Sequence, residues 1–541
     1  MSIQPNFRST FRRVLLALLS LFSLIFIAQS LFSTVDQPQA PSLVDLLQTD
    51  LSLQASAWKT EDQNWSGLSE IILEKDPTKA YQQALESYQE ALQSNLRELG
   101  IESKSDANYT QRLDTKINKA DEQFLLNSAK KTSLNELDLR IGILQALAES
   151  EAEKTWNQII TRSPDGDLAE TAKVLRELWH KPSQVLPNAE AKIKENLDRW
   201  AESFALEKLY QQQKRSPELK KVLIQRQSDA YAAIERIVKA SAVPLVGSLI
   251  GLLLWIGLLT QRLFWSSGAI LKLGDRGQNS SAITWGAEKT WEVMVIWFSS
   301  YVVISNLLPF LLLLINSTVS KFELQLSPEI FQSIAGVFVP YCLTMLPMLP
   351  IIYWSLPQSS ALSSNQLPAQ LPAQSSANLR PESQNWLNLS FKPGRWIVWG
   401  IGGYFAAVPL VLIASTLSEK IWHGQGGSNP LLPILTESQD SLAKFIFWVT
   451  LAIAAPFFEE YLFRGFFFSS LTKLMPIPFA LVLSGFCFAT VHLNLGDIIP
   501  LTVLGIVLGF VYYKSRNLLA PILLHCLWNS ASFISLLALG S

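Results

Sequence analysis

The sequence predicts an all-α polytopic membrane protein of about nine transmembrane helices, with an extramembrane all-helical domain near the N-terminus. Three observations carry that expectation. Hydrophobic residues make up 49% of the 541 positions and charged ones 16%, with 17 Trp and 28 Phe, which points to a polytopic membrane protein with a soluble part. From Ser241 onward, apolar runs of spanning length alternate with short basic loops. Between an apolar N-terminal run and these spans lies a polar, nearly glycine-free stretch, residues 42–240, with apolar residues at helical spacing.

Residues 1–35 begin with a short basic segment (Arg8, Arg12, Arg13), followed by the apolar run Val14–Phe32. It reads as a transmembrane anchor or as a secretory signal cleaved after Ala28-Gln-Ser30; its length, long for a signal, favours an anchor. Residues 42–240 read as a soluble helical domain. Ala80–Leu92 is similar to one helix of a tetratricopeptide repeat, and Leu144–Trp179 suits a helical hairpin turned at Ser163–Gly166. No fixed period runs through the stretch, which favours an irregular bundle over a repeat array. Spans follow at about 241–261, 293–315, 331–354, 396–417, 445–469, 477–493, 497–513 and 518–538, giving membrane segments over 241–355 and again over 393–541. Residues 356–392 between them are rich in Pro, Gln and Ser, with Leu367-Pro-Ala-Gln repeated at Leu371, and read as a flexible linker. The basic loops fall on the side of the N-terminus, which makes that side cytoplasmic and the 42–240 domain exoplasmic.

Several function classes drop out. A net charge of −1 gives no reason to expect nucleic-acid binding. Cys342, Cys487 and Cys526 all lie in apolar spans without a Cys-x-x-Cys spacing, so neither a disulfide framework nor a thiolate zinc site is expected. The glycine-rich loop Gly424–Pro430 lacks a strand–loop–helix setting and a Gly-Lys-Ser/Thr, which excludes a phosphate loop, and His423 beside it reads as a solvated loop residue.

The chemistry sits in the last spans. Glu459, Glu460 and Arg464 interrupt one apolar run, and His492, then His525 with Asn529, interrupt two later ones; the chain has four histidines in all. Ionised side chains at that depth cost at least a few kcal/mol each and are kept with partners and usually for a task. On a helix, residues four apart share a face, so Glu460 and Arg464 form a pair while Glu459 points elsewhere. Phe488 and His492 share a face, as do His525 and Asn529. Two chemical readings follow. In one, Glu459 and His492 deprotonate a water, and His525 with Asn529 stabilises the oxyanion. In the other, Glu459, His492 and His525 ligate a divalent metal such as zinc, which acidifies the water. The spacing does not match the His-Glu-x-x-His zinc helix.

A structural reading stands beside these. A Glu–Arg pair and a lone histidine can simply lock helices together, but so many ionisable groups buried together are costly to keep for scaffolding alone. Phe488, Gly465 and the pair Gly505/Gly509 read as packing residues. One count does not fit. At ~1.5 Å per residue, His525 lies ~10 Å and Glu459 ~15 Å from the cytoplasmic boundary, whereas His492, counted from Pro476, lies more than ~20 Å in. Either that helix begins after Pro478 or it tilts strongly.

Glu459-Glu460-x-x-x-Arg464, Phe488-x-x-x-His492 and His525-x-x-x-Asn529, intact and in this order, resemble the signature of the CPBP family. That family contains the type II CAAX prenyl endopeptidases and bacterial bacteriocin-processing or self-immunity proteins. The resemblance covers roughly residues 440–540. It implies an intramembrane endopeptidase acting on a membrane protein or lipopeptide, with Glu459 as base beside His492, His525 and Asn529 as the oxyanion or ligand pair, and Glu460 with Arg464 in support. Both a metal-dependent and a metal-free glutamate mechanism are attached to the family, and its eukaryotic members remove three residues after a prenylated cysteine. The basic start, glutamine-rich loops and added domain suggest a bacterial plasma membrane, or a thylakoid. Two rivals remain: a non-proteolytic scaffold or immunity protein, and a transporter using the buried charges as a proton path. Residues 42–240 would bind or regulate a protein partner in any of these.

Overall fold

A computed structural model describes residues 7–35, 42–58, 76–98, 124–164, 166–180, 187–265, 269–274, 283, 285–319, 330, 332–355, 389–392, 394–423, 425–427 and 440–540. Every regular element among them is a helix. The linker expected at 356–392 lies, except for its last four residues, outside the described residues, as does Asp165 of the hairpin turn. The chain divides into two compact units, one of residues 1–39 with 242–536 and one of 40–241 with 537–541.

In the second unit, α2 (Ser42–Ser56), α3 (Pro77–Glu98), α4 (Phe124–Leu147), α5 (Ala152–Arg162), α6 (Asp167–His180), α7 (Ala189–Asn196) and α8 (Arg199–Gln212) surround one apolar core. The hairpin is α5 and α6, on either side of the expected turn, but its first arm starts at Ala152 rather than Leu144, which belongs to α4. Trp156 is fully buried against Gly142, where any Cβ would meet the indole nitrogen at 2.1 Å. Asp50 clamps three helices by accepting from Tyr88 Oη (2.5 Å) and Trp200 Nε1 (2.7 Å). Burial pushes the Asp50 carboxyl above its ordinary range, while these two donors pull it back.

The other unit is a multi-pass membrane domain. Eight helices among the described residues are long and apolar enough to cross a bilayer. They include α1 (Phe7–Ser33), the 49-residue α9 (Ser216–Phe264, of which residues 242–264 belong here), α10 (Ala287–Val319) and α13 (Arg395–Trp422). The span expected at 331–354 is among the eight, over Gly336–Trp354, and is internally segmented: a π-helical turn Gln332–Phe338, then α11 (Val339–Met345) and α12 (Met348–Ser355). Pro340 stands in the first turn of α11 and Pro347 between α11 and α12, and each lacks the N–H that a continuous helix needs. α14 (Ser441–Leu474) starts at Asp440, whose carboxylate caps the N–H groups of Leu442 and Ala443. α15 (Ile477–Thr490), α16 (Ile498–Ser515) and α17 (Leu519–Gly540) complete the domain. α1 packs on α10 through polar side chains: Arg12 pairs with Glu292, Trp291 Nε1 donates to Ser20 Oγ (2.8 Å), and Ser23 lies 3.3 Å from Ser299. Such pairs give an apolar helix a defined partner in lipid, where hydrophobicity alone gives none.

α15 and α16 approach most closely at Gly485 and Gly505. A Cβ on Gly505 would lie 2.7 Å from the Cα of Gly485, which is backbone and cannot rotate away. A Cβ on Gly509 would meet only the Leu481 Cδ2 methyl, at 2.9 Å. Gly505→Val should therefore lower the thermal midpoint of the detergent-solubilised protein by an overpacking cost of about 1–3 kcal/mol. Gly509→Ala should leave that midpoint nearly unchanged; equal midpoints for the two variants would refute the close contact.

Candidate active site

α14 carries both glutamates between two π-helical stretches, Thr450–Ala454 and Tyr461–Phe468, a feature often found at functional sites. The first has a legible cause. Ala455 N–H bonds back to the Thr450 carbonyl, and the next position is Pro456, which has no N–H to offer Leu451. The orphaned Leu451 carbonyl instead accepts Asn529 Nδ2 from α17 at 2.7 Å. In apolar surroundings an unpaired carbonyl would be expensive.

One turn earlier on α17, His525 reaches the same helix. Glu460 and Arg464, both with 0% side-chain exposure, pair at 2.7 Å through Arg464 Nη1 and Glu460 Oε1. The same Oε1 lies 2.9 Å from His525 Nδ1. Because this carboxylate oxygen already accepts from arginine, the imidazole nitrogen is the donor. Arg464 Nη2 also donates to the Gly505 carbonyl (3.2 Å), and its guanidinium lies 4.4 Å from the centre of the Phe488 ring. Phe488, fully buried, is a wedge: its ring also sits 5.8 Å from the His525 ring and 5.0 Å from that of His492.

Glu459 points away from this pair, as helical spacing requires. Its Oε2 is 3.9 Å from His525 Nε2, and its Oε1 is 3.4 Å from the hydroxyl of Tyr341 on α11. The gap of 3.9 Å is too long for a hydrogen bond and about right for one water oxygen touching both atoms. His492 lies beyond the end of α15, in the turn after Thr490, and is exposed. Its Nδ1 donates to the Phe488 carbonyl at 2.8 Å. Of the two alternatives for the depth of His492, the later start is excluded: α15 begins at Ile477, with Pro478 in its first turn, and its 14 residues end at Thr490, just before His492. The loop beyond His492 is held by Leu495 N–H to Thr34 Oγ1 (3.3 Å), Gly496 N–H to the Gly426 carbonyl (2.9 Å) and Ser418 Oγ to the Gly496 carbonyl (2.6 Å). His423 is exposed and caps α13 in a left-handed conformation.

The structure therefore joins Glu459, Glu460, Arg464 and His525 directly, and His492 to them through Phe488. Among the described residues no group of three or more His, Cys, Asp or Glu side chains is arranged to hold a metal ion, so the expected set of Glu459, His492 and His525 is not assembled as ligands. Asn529 Nδ2 is committed to a backbone carbonyl. Tyr341 carries no motif; its only sequence signal is a phenol within an apolar, proline-rich run.

Residues 441–531 match the model of the type II CAAX prenyl endopeptidase Rce1-like family, a segment that contains all seven motif residues. The chain is 26% identical over 137 residues to YdiL of Bacillus subtilis (strain 168), provisionally named a membrane peptidase, covering 25% of this chain and 55% of that protein. It is 27% identical over 160 residues to the membrane-embedded CAAX protease MroQ of Staphylococcus aureus (strain USA300), covering 28% and 64%. The chain thus spans somewhat over half the length of these relatives. No solved structure matches it.

The Asn529–Leu451 bond gives a direct test. Asn529→Ala should destabilise the solubilised protein by about 1–3 kcal/mol, the usual cost of a buried unpaired carbonyl. Adding Pro456→Ala, which restores an N–H one position after Ala455, should recover part of the lost thermal midpoint. A purely additive double variant would show that Asn529 does not serve this carbonyl.

Proposed function

We propose that this protein is an intramembrane endopeptidase that hydrolyses a peptide bond of a membrane-associated or lipidated protein or peptide. The observation that carries the reading is the facing pair of Glu459 Oε2 and His525 Nε2 at 3.9 Å, beside a fully buried Glu460–Arg464 pair. The Rce1-like segment at 441–531 and the bacterial membrane-peptidase relatives support the same class of reaction.

Both histidines give their Nδ1–H to a fixed acceptor, Glu460 for His525 and the Phe488 carbonyl for His492, which leaves each Nε2 with its lone pair. A water between Glu459 and His525 would direct one hydrogen to each. Glu459 takes a proton as the water oxygen adds to the peptide carbonyl, and returns it to the departing amine as the C–N bond breaks. Glu460 holds the imidazole in the tautomer that accepts from this water. Charge on the carbonyl oxygen requires a donor, a role proposed for the second amide hydrogen of Asn529; the one hydrogen of His492 is already given to the Phe488 carbonyl. The bare Nε2 atoms would also suit zinc, but the donors do not converge in threes among the described residues, so no step is derived through a metal.

We further propose a bacterial plasma membrane as the location, in keeping with the relatives' source, and a protein-recruiting or regulatory role for residues 42–240. The test uses the full chain in liposomes with membrane-protein and lipopeptide substrates, prenylated and not, and products read by mass spectrometry. Glu459→Gln should lower cleavage by at least about 100-fold and His525→Ala comparably, while a chelator leaves the wild type active. Cleavage lost to chelator and restored by zinc would replace this mechanism with the metal-bound one. Cleavage absent, or equal in all three proteins, would favour a non-proteolytic scaffold or immunity role.

A further inference from the structure

Glu459 has two carboxylate oxygens, and the site accounts for only one: Oε2 faces His525. The other, Oε1, faces the hydroxyl of Tyr341 at 3.4 Å, and that hydroxyl is also 3.4 Å from the Ala455 carbonyl. Tyr341 comes from α11, a segment outside the 441–531 match, so nothing in the Rce1-like segment supplies this contact. Its ring packs against Phe458, the neighbour of Glu459, with centroids 6.4 Å apart. Thr344 Oγ1, one turn along, shares its one hydrogen between the carbonyls of Pro340 (3.0 Å) and Tyr341 (2.9 Å), which ties down the turn that carries the phenol.

A phenol has one hydrogen to give. Between two acceptors at equal distance, it goes to the stronger one, and a carboxylate is a stronger acceptor than a peptide carbonyl. When Glu459 is ionised the hydrogen points to Oε1. Once Glu459 has taken the proton from water, its carboxyl is the weaker acceptor and the hydrogen can turn to the Ala455 carbonyl. No proton leaves Tyr341 in either state. A spacing of 3.4 Å is long for a resting O–H···O bond, and catalytic contacts commonly tighten in the reacting complex. The titratable groups around Glu459 are Tyr341 and His525 facing it, Glu460 and Arg464 on its own helix, and Tyr301 of α10 within electrostatic reach.

We propose that Tyr341 is a positioning residue for Glu459: it fixes the carboxylate plane through Oε1 so that Oε2 stays turned toward His525, and switches its hydrogen to the Ala455 carbonyl when Glu459 is protonated. The catalytic purpose of this contact rests on the endopeptidase reading; the contact itself does not.

The experiment therefore has two arms on the full-length, solubilised protein. In the first, infrared difference spectra identify the Glu459 carboxylate band as the one lost in Glu459→Gln, and Tyr341→Phe should shift it. In the second, a lipopeptide cleaved by the wild type is used to compare rates. Tyr341→Phe should lower kcat about threefold to tenfold, the worth of one hydrogen bond, with KM unchanged. The phenylalanine keeps the ring against Phe458, so the thermal midpoint should match the wild type, and a fall in it would mark the hydroxyl as a structural tie rather than a positioning group and overturn the proposal. An unshifted band, or unchanged kcat in a protein that does cleave, would also overturn it while leaving the endopeptidase reading intact. A wild type that cleaves nothing would sink that reading, and the catalytic role of Tyr341 with it, even if the band moved.

Discussion

One carboxylate oxygen, Glu460 Oε1, holds the site together. It accepts from Arg464 on its own helix and from His525 on α17, and neither it nor the arginine has any exposure. Charges so placed must satisfy each other, because removing either partner leaves an unpaired ion at a cost of about 3–5 kcal/mol. That requirement draws four helices to one point: α14 supplies the pair, α17 the histidine, α16 the Gly505 carbonyl, and α15 the Phe488 ring under the guanidinium. The close approach of Gly485 and Gly505 belongs to the same arrangement, since it brings the Gly505 backbone within reach of Arg464.

A second constraint comes from the backbone. Proline at 456 withdraws an N–H just where the helix widens into a π turn, and in apolar surroundings the stranded carbonyl must find a side chain. Asn529 is that side chain. α17 is thereby fixed to α14 at two points one turn apart, His525 on Glu460 and Asn529 on Leu451, which sets its rotation as well as its position. His525 Nε2 then faces Glu459 because Nδ1 is already committed. The geometry of the site follows from two structural obligations, a buried charge and an unpaired carbonyl.

The loop that bears His492 is anchored differently. Its backbone is tied to Thr34 at the end of α1, to Ser418 in the last turn of α13 and to the Gly426 carbonyl. Gly426 adopts φ +117, and a Cβ there would lie 2.7 Å from Gly496 N, so a glycine-rich loop with no phosphate signature has a steric role beside the site. The N-terminal apolar helix is thus part of the membrane unit through Thr34 as well as through its polar contacts with α10.

What the sequence determined by itself is what one helix can specify. Apolar runs of spanning length gave a polytopic all-α protein, and spacing of four placed Glu460 on Arg464 and Phe488 on His492, because 3.6 residues per turn fixes neighbours within a helix. The same period turned Glu459 away from Glu460. Between helices that rule is silent. Only the tertiary structure decided that His525 rather than His492 stands next to Glu459, that the Asn529 amide serves a carbonyl stranded by Pro456, and that Tyr341 from a distant segment meets the remaining oxygen. It also ended α15 before His492, which no count from Pro476 could show. The physical reason is that helix rotation, π-helical register and the early end of a helix are set by which buried charges and carbonyls find partners, and those partners lie tens to hundreds of residues away along the chain.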